Sequence, residues 1–141
     1  MLVERLVDLH LAGVPLDVTV SSFDRRLVAA FRAAVPPRLR VRTALLGAPG
    51  CLALATLRLA LADGHDELHP HVSDLLADPE VAAEARACGV GVVPWTVNAR
   101  RTLRRIAELG VDAVITDVPR QARATLLPAP RRRAVALSAR A

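Results

Sequence analysis

Three histidines within one short segment are the first candidates for chemistry. The segment DGHDELHPH places His65, His69 and His71 among several carboxylates, and both side-chain types are frequent metal ligands. His65 and His69 would share a face only in a helix, which Gly64 and Pro70 disfavour. We therefore expect a surface loop here rather than a metal site. His69 follows a short predicted strand, so it could still line a binding site without holding a metal.

A second group of polar and aromatic residues follows predicted strands. Trp95 and Asn98 end one apolar run, and Thr116 and Asp117 end the next. Trp95 offers a flat apolar face to a ligand, although an indole at this place could equally fill the end of the sheet. Asn98 and Asp117 each precede a predicted helix, and asparagine and aspartate are favoured N-cap residues. Helix capping is therefore the preferred interpretation of both.

The adjacent Ser21 and Ser22, with Asp24 and a histidine elsewhere in the chain, suggest a serine hydrolase. In an α/β protein that chemistry normally uses a GxSxG turn, and the chain contains none. The sequence therefore gives little support to a serine hydrolase, and we expect Phe23 to provide an apolar substrate contact or a core side chain.

The elements that would position these residues alternate between strands and helices. Apolar or β-branched runs predict strands at residues 17–23, 39–46, 66–70, 90–97 and 111–116, with helical segments between them. This alternation implies an α/β fold of about five parallel strands joined by right-handed crossover helices. No GxGxxG and no P-loop motif occurs, which counts against a nucleotide-binding fold.

Three motifs in a fixed order make the chain resemble a known family. SSFD at residues 21–24 is followed by WTVN at 95–98 and by GVDAVITDVP at 110–119. Together they resemble the later part of the glycerophosphodiester phosphodiesterase family, within the PLC-like phosphodiesterase superfamily. The resemblance implies the C-terminal portion of a TIM-type (β/α)8 barrel, and a complete barrel takes about 250 residues. We expect residues 1–127 to form a partial domain of this family and residues 128–141 to form a mobile arginine-rich tail.

The resemblance also implies an activity. The family hydrolyses glycerophosphodiesters to glycerol 3-phosphate and an alcohol, a reaction of lipid metabolism. It uses a divalent metal, calcium or magnesium, held by carboxylates, and two histidines that act on the phosphodiester. Because the site of a barrel lies at the carboxyl ends of its strands, Phe23, His69 and Trp95 are expected to bind substrate. Trp95 would pack against the carbon skeleton of the glycerol moiety.

The residues that carry the family's reaction are expected to be absent. In the family an HRG with a following ENT, an ExD, an HD and an ExK precede the SSFD strand, and none of them occurs ahead of Ser21 here. Neither Glu-x-Asp nor Glu-x-Lys occurs anywhere in the chain. We therefore assign no catalytic residue, no metal ligand and no cofactor to this chain, and we expect it to be inactive alone.

Two classes of protein fit these expectations. The chain could be an incomplete phosphodiesterase domain, from a truncated gene or a misplaced start, that meets its substrate only with the missing strands. It could instead be a non-catalytic half-barrel that pairs with itself or with another chain, because an unclosed parallel sheet exposes unpaired backbone.

The composition weighs against several other classes. All nineteen basic residues are arginine, and the net charge is +5. Only 2% of residues are aromatic, so few side chains could stack on nucleic-acid bases, and nucleic-acid binding is not expected. The longest apolar stretch, residues 51–62, contains Arg58 and is too short to span a bilayer. With no signal peptide visible, we expect a cytoplasmic protein.

Cys51 and Cys88 are expected to fill the core rather than form a disulfide.

Overall fold

The computed structural model describes residues 2–15 and 17–127, so the tail predicted at residues 128–141 lies outside the described residues. Within them, parallel strands form one sheet in chain order. From one edge to the other these strands are β1 (Thr19–Ser22), β2 (Arg42–Leu46), β3 (Glu67–His69) and β4 (Gly91–Val92). The parallel order, with helices between the strands, is the predicted α/β fold.

The described residues also form seven helices. They are α1 (Leu2–Leu11), α2 (Arg25–Ala34), α3 (Ala53–Ala62), α4 (Val72–Ala77), α5 (Val81–Ala87), α6 (Arg100–Glu108) and α7 (Pro119–Leu126). Helix α4 was not expected, because its six residues are too few to show a helical period. No helix in the described ranges has the length and apolar character that a bilayer crossing requires. The cytoplasmic location stays a prediction.

The two faces of the sheet differ in polarity. On one face Leu45, Leu68 and Val92 stand opposite one another in register, and each is at most 3% exposed. Helices cover this face, with Leu57 of α3 and Ile106 of α6 in the same apolar cluster. Side chains alternate between faces along a strand, so the intervening residues belong to the opposite, polar face. The polar face and the carboxyl edge of the sheet carry the candidate site.

The fifth strand, predicted at residues 111–116, is not formed, so the described sheet has four strands rather than five. The segment still runs beside β4: the amide of Asp112 donates to the carbonyl of Val92 at 3.0 Å, and the amide of Ile115 donates to that of Pro94 at 3.0 Å. However, the amide of Val92 donates to the carboxylate of Asp112 at 2.8 Å. The carboxylate of Asp112 thus accepts from an amide that would donate to a backbone carbonyl in a regular pair of strands.

Two arginine side chains each connect one helix to the carboxyl end of another helix that follows it in the sequence. Arg32 of α2 donates to the carbonyls of Asp63 at 2.5 Å and Gly64 at 3.0 Å, just after α3. Arg86 of α5 donates in the same way to the carbonyl of Gly110, just after α6. The last carbonyls of a helix have no partner within the helix, and a cation is favourable at this negative end of the dipole. These contacts fix the helices against the sheet.

The expectation that the cysteines fill the core was wrong. Cys51 and Cys88 are both free and exposed. Cys51 lies in the turn before α3, and Cys88 is the residue at which α5 ends, so neither side chain belongs to the helix face that packs on the sheet.

Candidate functional site

Three aromatic rings meet at the carboxyl edge of the sheet. Phe23 directly follows β1, His71 follows β3, and Trp95 follows β4. The ring centroids of Phe23 and Trp95 are 5.6 Å apart with planes at 73°, and those of His71 and Trp95 are 5.0 Å apart at 79°. We call Phe23, His71 and Trp95 the aromatic corner. It lies at the edge where α/β barrels hold their sites.

Trp95 is held in place through both its backbone and its indole. The amide of Trp95 donates to the carbonyl of Pro70 at 3.0 Å, and its carbonyl accepts from the amide of Val72 at 2.7 Å. The indole Nε1 donates to the carbonyl of His69 at 3.1 Å. The ring is therefore fixed in orientation, and it brings the end of β4 over the end of β3.

His69 belongs to a polar network on the sheet face opposite the apolar one. Its Nε2 lies 2.9 Å from Oε2 of Glu67, while Oε1 of Glu67 accepts from the hydroxyl of Thr19 at 3.1 Å and pairs with Nε of Arg42 at 3.0 Å. Gly91 leaves room for this carboxylate, because a Cβ there would lie 3.3 Å from Cγ of Glu67. The network joins β1, β2 and β3 across the polar face of the sheet, and Gly91 of β4 lies beside it.

The structure brings together the three residues expected to bind substrate. Phe23 contacts Trp95, and Trp95 is hydrogen bonded to the backbone of His69. The side chain of His69 is buried, and its Nδ1 has no hydrogen-bond partner in the described part of the chain. The role of these three residues in substrate binding stays a prediction. Such a role requires that they lie at the same edge of the sheet, and they do.

Sequence reasoning missed Glu67 and the ring contact of His71. The signal for Glu67 was available, because a residue two positions before His69 on a strand shares its face. The signal for His71 was weaker, since it depends on the unexpected helix α4, which His71 caps by accepting from the amide of Ser73.

The residues present do not fit a divalent metal. Across the described residues, no group of three or more histidine, cysteine, aspartate or glutamate side chains is placed to hold one. At the carboxyl edge, Glu67 is engaged by Thr19, Arg42 and His69 through both of its oxygens. Calcium and magnesium sites need several free oxygen ligands, and the described residues offer no such set.

Asn98 and Asp117 do not cap helices, contrary to expectation. The N-cap positions of α6 and α7 are Ala99 and Val118, and neither has a side-chain capping bond. Instead Oδ1 of Asn98 accepts from the amide of Asp117 at 2.9 Å, and Nδ2 of Asn98 donates to Oδ2 of Asp117 at 2.8 Å. Thr116 adds a hydroxyl bond to the same Oδ1 at 3.0 Å. The pair cross-links the two loops that lead into α6 and α7.

The serine next to Phe23 has a structural role. The hydroxyl of Ser22 accepts from the amide of Asp24 at 3.0 Å, and Oδ1 of Asp24 accepts from the amide of Arg26 at 2.8 Å. These bonds start α2, with Asp24 as its N-cap. In the described chain no histidine is bonded to Ser22, so a hydrolase triad is not formed there.

His65 lies apart from the other two clustered histidines, at the amino end of β3. It lines a groove of about 700 Å³ that also contains Arg25, Arg32 and Asp63 and that extends to Phe23. Burial, and secondarily the charge of Arg32, lower the pKa of His65, while hydrogen bonds from Arg25 lower the pKa of Asp63. His65 and Asp66 are neighbours in the sequence, but the carboxylate of Asp66 accepts from the amide of Thr43 at 2.7 Å.

Comparison with known proteins places these observations in a family. The model of the glycerophosphoryl diester phosphodiesterase family matches residues 2–121. A glycerophosphodiester phosphodiesterase of Caldanaerobacter subterraneus subsp. tengcongensis is 36% identical over 52 residues, which are 37% of this chain and 21% of that protein.

Solved structures show the same fold. A Silicibacter pomeroyi structure described as a glycerophosphoryl diester phosphodiesterase has a TM-score of 0.70 and 28% identity, covering 86% of this chain and 41% of that one. A Parabacteroides distasonis glycerophosphodiester phosphodiesterase has a TM-score of 0.67 and 21% identity, and the match covers 87% of this chain and 52% of that one. An Oleispira antarctica phosphodiesterase, solved with the product sn-glycerol-3-phosphate, has a TM-score of 0.68 and 20% identity. The match covers 88% of this chain and 48% of that one. The chain thus spans about half or less of the length of the relatives it matches.

Proposed function

The chain belongs to the glycerophosphoryl diester phosphodiesterase family, and from this membership we propose that residues 1–127 form the part of such a domain that shapes its substrate pocket. The similarity to solved family members covers most of this chain but only about half or less of theirs. The corresponding whole domain would hydrolyse a glycerophosphodiester to glycerol 3-phosphate and an alcohol. The Oleispira antarctica relative, solved with sn-glycerol-3-phosphate, supports this product class.

The aromatic corner and His69 carry this proposal. They meet at the carboxyl edge of a parallel sheet, where the pocket of a TIM-type barrel lies. Phe23 is 56% exposed, so it presents an apolar surface to whatever occupies that edge. Phe23, His69 and Trp95 are proposed to contact the substrate there.

Catalysis is proposed to need groups outside this chain. In the family reaction a divalent metal and positive groups neutralise charge on the phosphoryl oxygens, and histidines move protons. The described residues do not fit such a metal, and the family's HRG, ExD and ExK motifs are not found in the sequence. We therefore propose that this chain positions substrate and that it has no phosphodiesterase activity alone.

An activity assay tests this proposal. Purified chain would be incubated with glycerophosphocholine and calcium or magnesium, and released glycerol 3-phosphate measured against a blank without protein. We expect no release above the blank. Metal-dependent release that a substitution at Trp95 or His69 abolishes would contradict the proposal that the chain is inactive alone.

A second candidate is a non-catalytic half-barrel that pairs with itself or with another chain. It is favoured by strand β1, which forms an outer edge of the described sheet. Open edges of this kind recruit further strands. Size-exclusion chromatography with light scattering separates the cases: a dimer would support self-pairing, and a well-folded monomer would contradict it.

A further inference from the structure

We propose that the exposed side of helices α6 and α7 binds the surface of a bilayer that contains anionic phospholipids. We call this side the basic surface, and it consists of six exposed arginines: Arg100, Arg101, Arg104 and Arg105 of α6, and Arg120 and Arg123 of α7. The chain would lie against the bilayer without crossing it. The inference does not depend on the proposed function, because it concerns the outside of two helices and involves no substrate.

Helix α6 separates its arginines from its apolar side chains. Leu103 and Ile106 are fully buried in the core. With 3.6 residues per turn, the four arginines of α6 span an arc of about 140°, centred opposite these two side chains. The basic side of the helix therefore faces away from the core.

Helices α6 and α7 form one surface because they pack against each other. Nε2 of Gln121 in α7 donates to the carbonyl of Asn98, just ahead of α6, at 2.9 Å. Asn98 is in turn bonded to Asp117, just ahead of α7. Both helices thus begin at one fixed point, and the arginines of α7 extend the charge of α6 onto the neighbouring helix.

The arginines of the basic surface lack the partners that other arginines of the chain have. Arg25, Arg32 and Arg86 each donate to a carboxylate or to a backbone carbonyl. In contrast, no arginine side chain of the basic surface forms a hydrogen bond or an ion pair with another described residue. The remaining described arginines without such a bond are spread over α1, the segment before β2, and α3: Arg5, Arg38, Arg40 and Arg58. Unpaired cations of the described chain are thus concentrated on α6 and α7.

The positions of these arginines are unfavourable for the helices themselves. Arg100 and Arg101 occupy the first turn of α6 and Arg120 that of α7, where the helix dipole is positive and neither helix has an acidic residue. Arg100 also stands four residues before Arg104, a spacing at which like charges weaken a helix. Glu108 is the only acidic residue within α6 and α7, and it forms no ion pair in the described chain. A negatively charged partner would relieve both penalties.

A bilayer surface fits these helices better than nucleic acid does. Helices α6 and α7 contain no aromatic side chain that could stack on a base. Large apolar side chains are exposed on either side of α7, since Ile115 precedes it at 40% exposure and Leu127 follows it at 53%. An anionic bilayer accommodates both features, because basic side chains are attracted to its phosphates while apolar side chains enter the headgroup region.

Co-sedimentation with lipid vesicles tests the proposal on the full chain. Vesicles of phosphatidylcholine alone would be compared with vesicles containing about 30% phosphatidylserine, at about 0.1 M salt. We expect binding to the anionic vesicles to be at least about 10-fold tighter, and about 0.5 M salt to release the chain by screening. Equal binding to both kinds of vesicle, or no binding to the anionic ones, would overturn the inference.

A double variant assigns the binding to the basic surface. Arg101→Gln with Arg104→Gln removes two charges and leaves the buried side of α6 unchanged. An arginine near an anionic bilayer contributes about 5-fold in affinity, so we expect affinity for the phosphatidylserine vesicles to fall about 10-fold or more. Arg38→Gln with Arg40→Gln is the matched control, because it lowers the net charge equally at two exposed arginines before β2. Equal losses in the two double variants would overturn the assignment, and circular dichroism would verify that each variant is folded.

Binding to a labelled DNA duplex, followed by fluorescence anisotropy, distinguishes lipid from nucleic acid. At the same salt concentration we expect the chain to bind the duplex more weakly, per phosphate, than the anionic vesicles. Tighter binding to the duplex that is lost in Arg101→Gln with Arg104→Gln would assign the basic surface to nucleic acid. That result would overturn the proposal of a lipid partner.

Discussion

The indole nitrogen of Trp95 donates a hydrogen bond to the backbone carbonyl of His69, 26 residues earlier in the chain. This single bond joins the ends of two neighbouring strands above the sheet. It also orients the ring that both Phe23 and His71 contact. The stability of the carboxyl edge and the shape of the aromatic corner therefore both depend on the side chain of Trp95.

Replacing Trp95 by phenylalanine is expected to destabilise the chain. The variant keeps an aromatic ring but removes the donor to the His69 carbonyl, so we expect a loss of about 1–3 kcal/mol in the free energy of unfolding. Urea denaturation followed by circular dichroism measures this loss. Phe23→Leu is the control, because Phe23 is 56% exposed and makes no such bond. Equal losses in the two variants would contradict a specific role for the indole donor.

Glu67→Gln is expected to be costly although the change is nearly isosteric. The carboxylate has only 14% of its side chain exposed and bonds with Thr19, Arg42 and His69. A neutral amide cannot accept through both of its terminal atoms, so at least one partner is left unsatisfied, at a cost of about 1–3 kcal/mol. Glu108→Gln, at an exposed position of α6, is the matched control and should change stability by less than about 0.5 kcal/mol. A loss as small for Glu67→Gln as for the control would contradict the network.

Asn98→Asp tests the link between the loops before α6 and α7. The substitution removes the Nδ2 donor and places a second carboxylate 2.8 Å from Oδ2 of Asp117. We expect this variant to be less stable at pH 7 than Asn98→Ala, which only removes bonds, because like charges in contact repel. Thermal unfolding of both variants at pH 7 measures the difference. If Asn98 merely capped α6, aspartate would replace it with little loss.

Stability is expected to fall as the solution is acidified through the range in which histidine titrates. Burial and the charge of Arg32 lower the pKa of His65 below its ordinary value of 6.5, so the unfolded chain takes up a proton more readily than the folded one. The contribution of neutral His65 is therefore present above pH 6.5 and is lost progressively below it.

Urea denaturation between pH 5 and pH 8 measures this effect. His65→Gln should flatten the dependence, because glutamine does not titrate. A wild-type stability that rises on acidification through this range would contradict the predicted direction.

The sequence could predict most elements but not the bonds between them. Strand-forming runs depend on residues close together in the chain, and four of the five predicted strands were confirmed, with shorter strands than expected. The segment 111–116 failed as a strand because the carboxylate of Asp112 takes the amide of Val92, a contact 20 residues away. Local propensity contains no information about such a competitor.

The polar residues show the same limit. Asn98 and Asp117 have the residue type and place of helix caps, yet each finds a better partner in the other across 19 residues. Phe23, His69 and Trp95 could be selected because strand ends of a parallel sheet share one edge. Glu67 and His71 could not be assigned their partners without knowing the register of β3 and the presence of α4.

The order of the strands has a consequence for how the chain reaches its fold. Within the described residues, each strand pairs only with the strands next to it in the sequence. Every strand–helix unit can therefore dock as it leaves the ribosome, onto a partner that has already been synthesised. Among the described strands no late strand has to return to an early one, which keeps the loops that must close short.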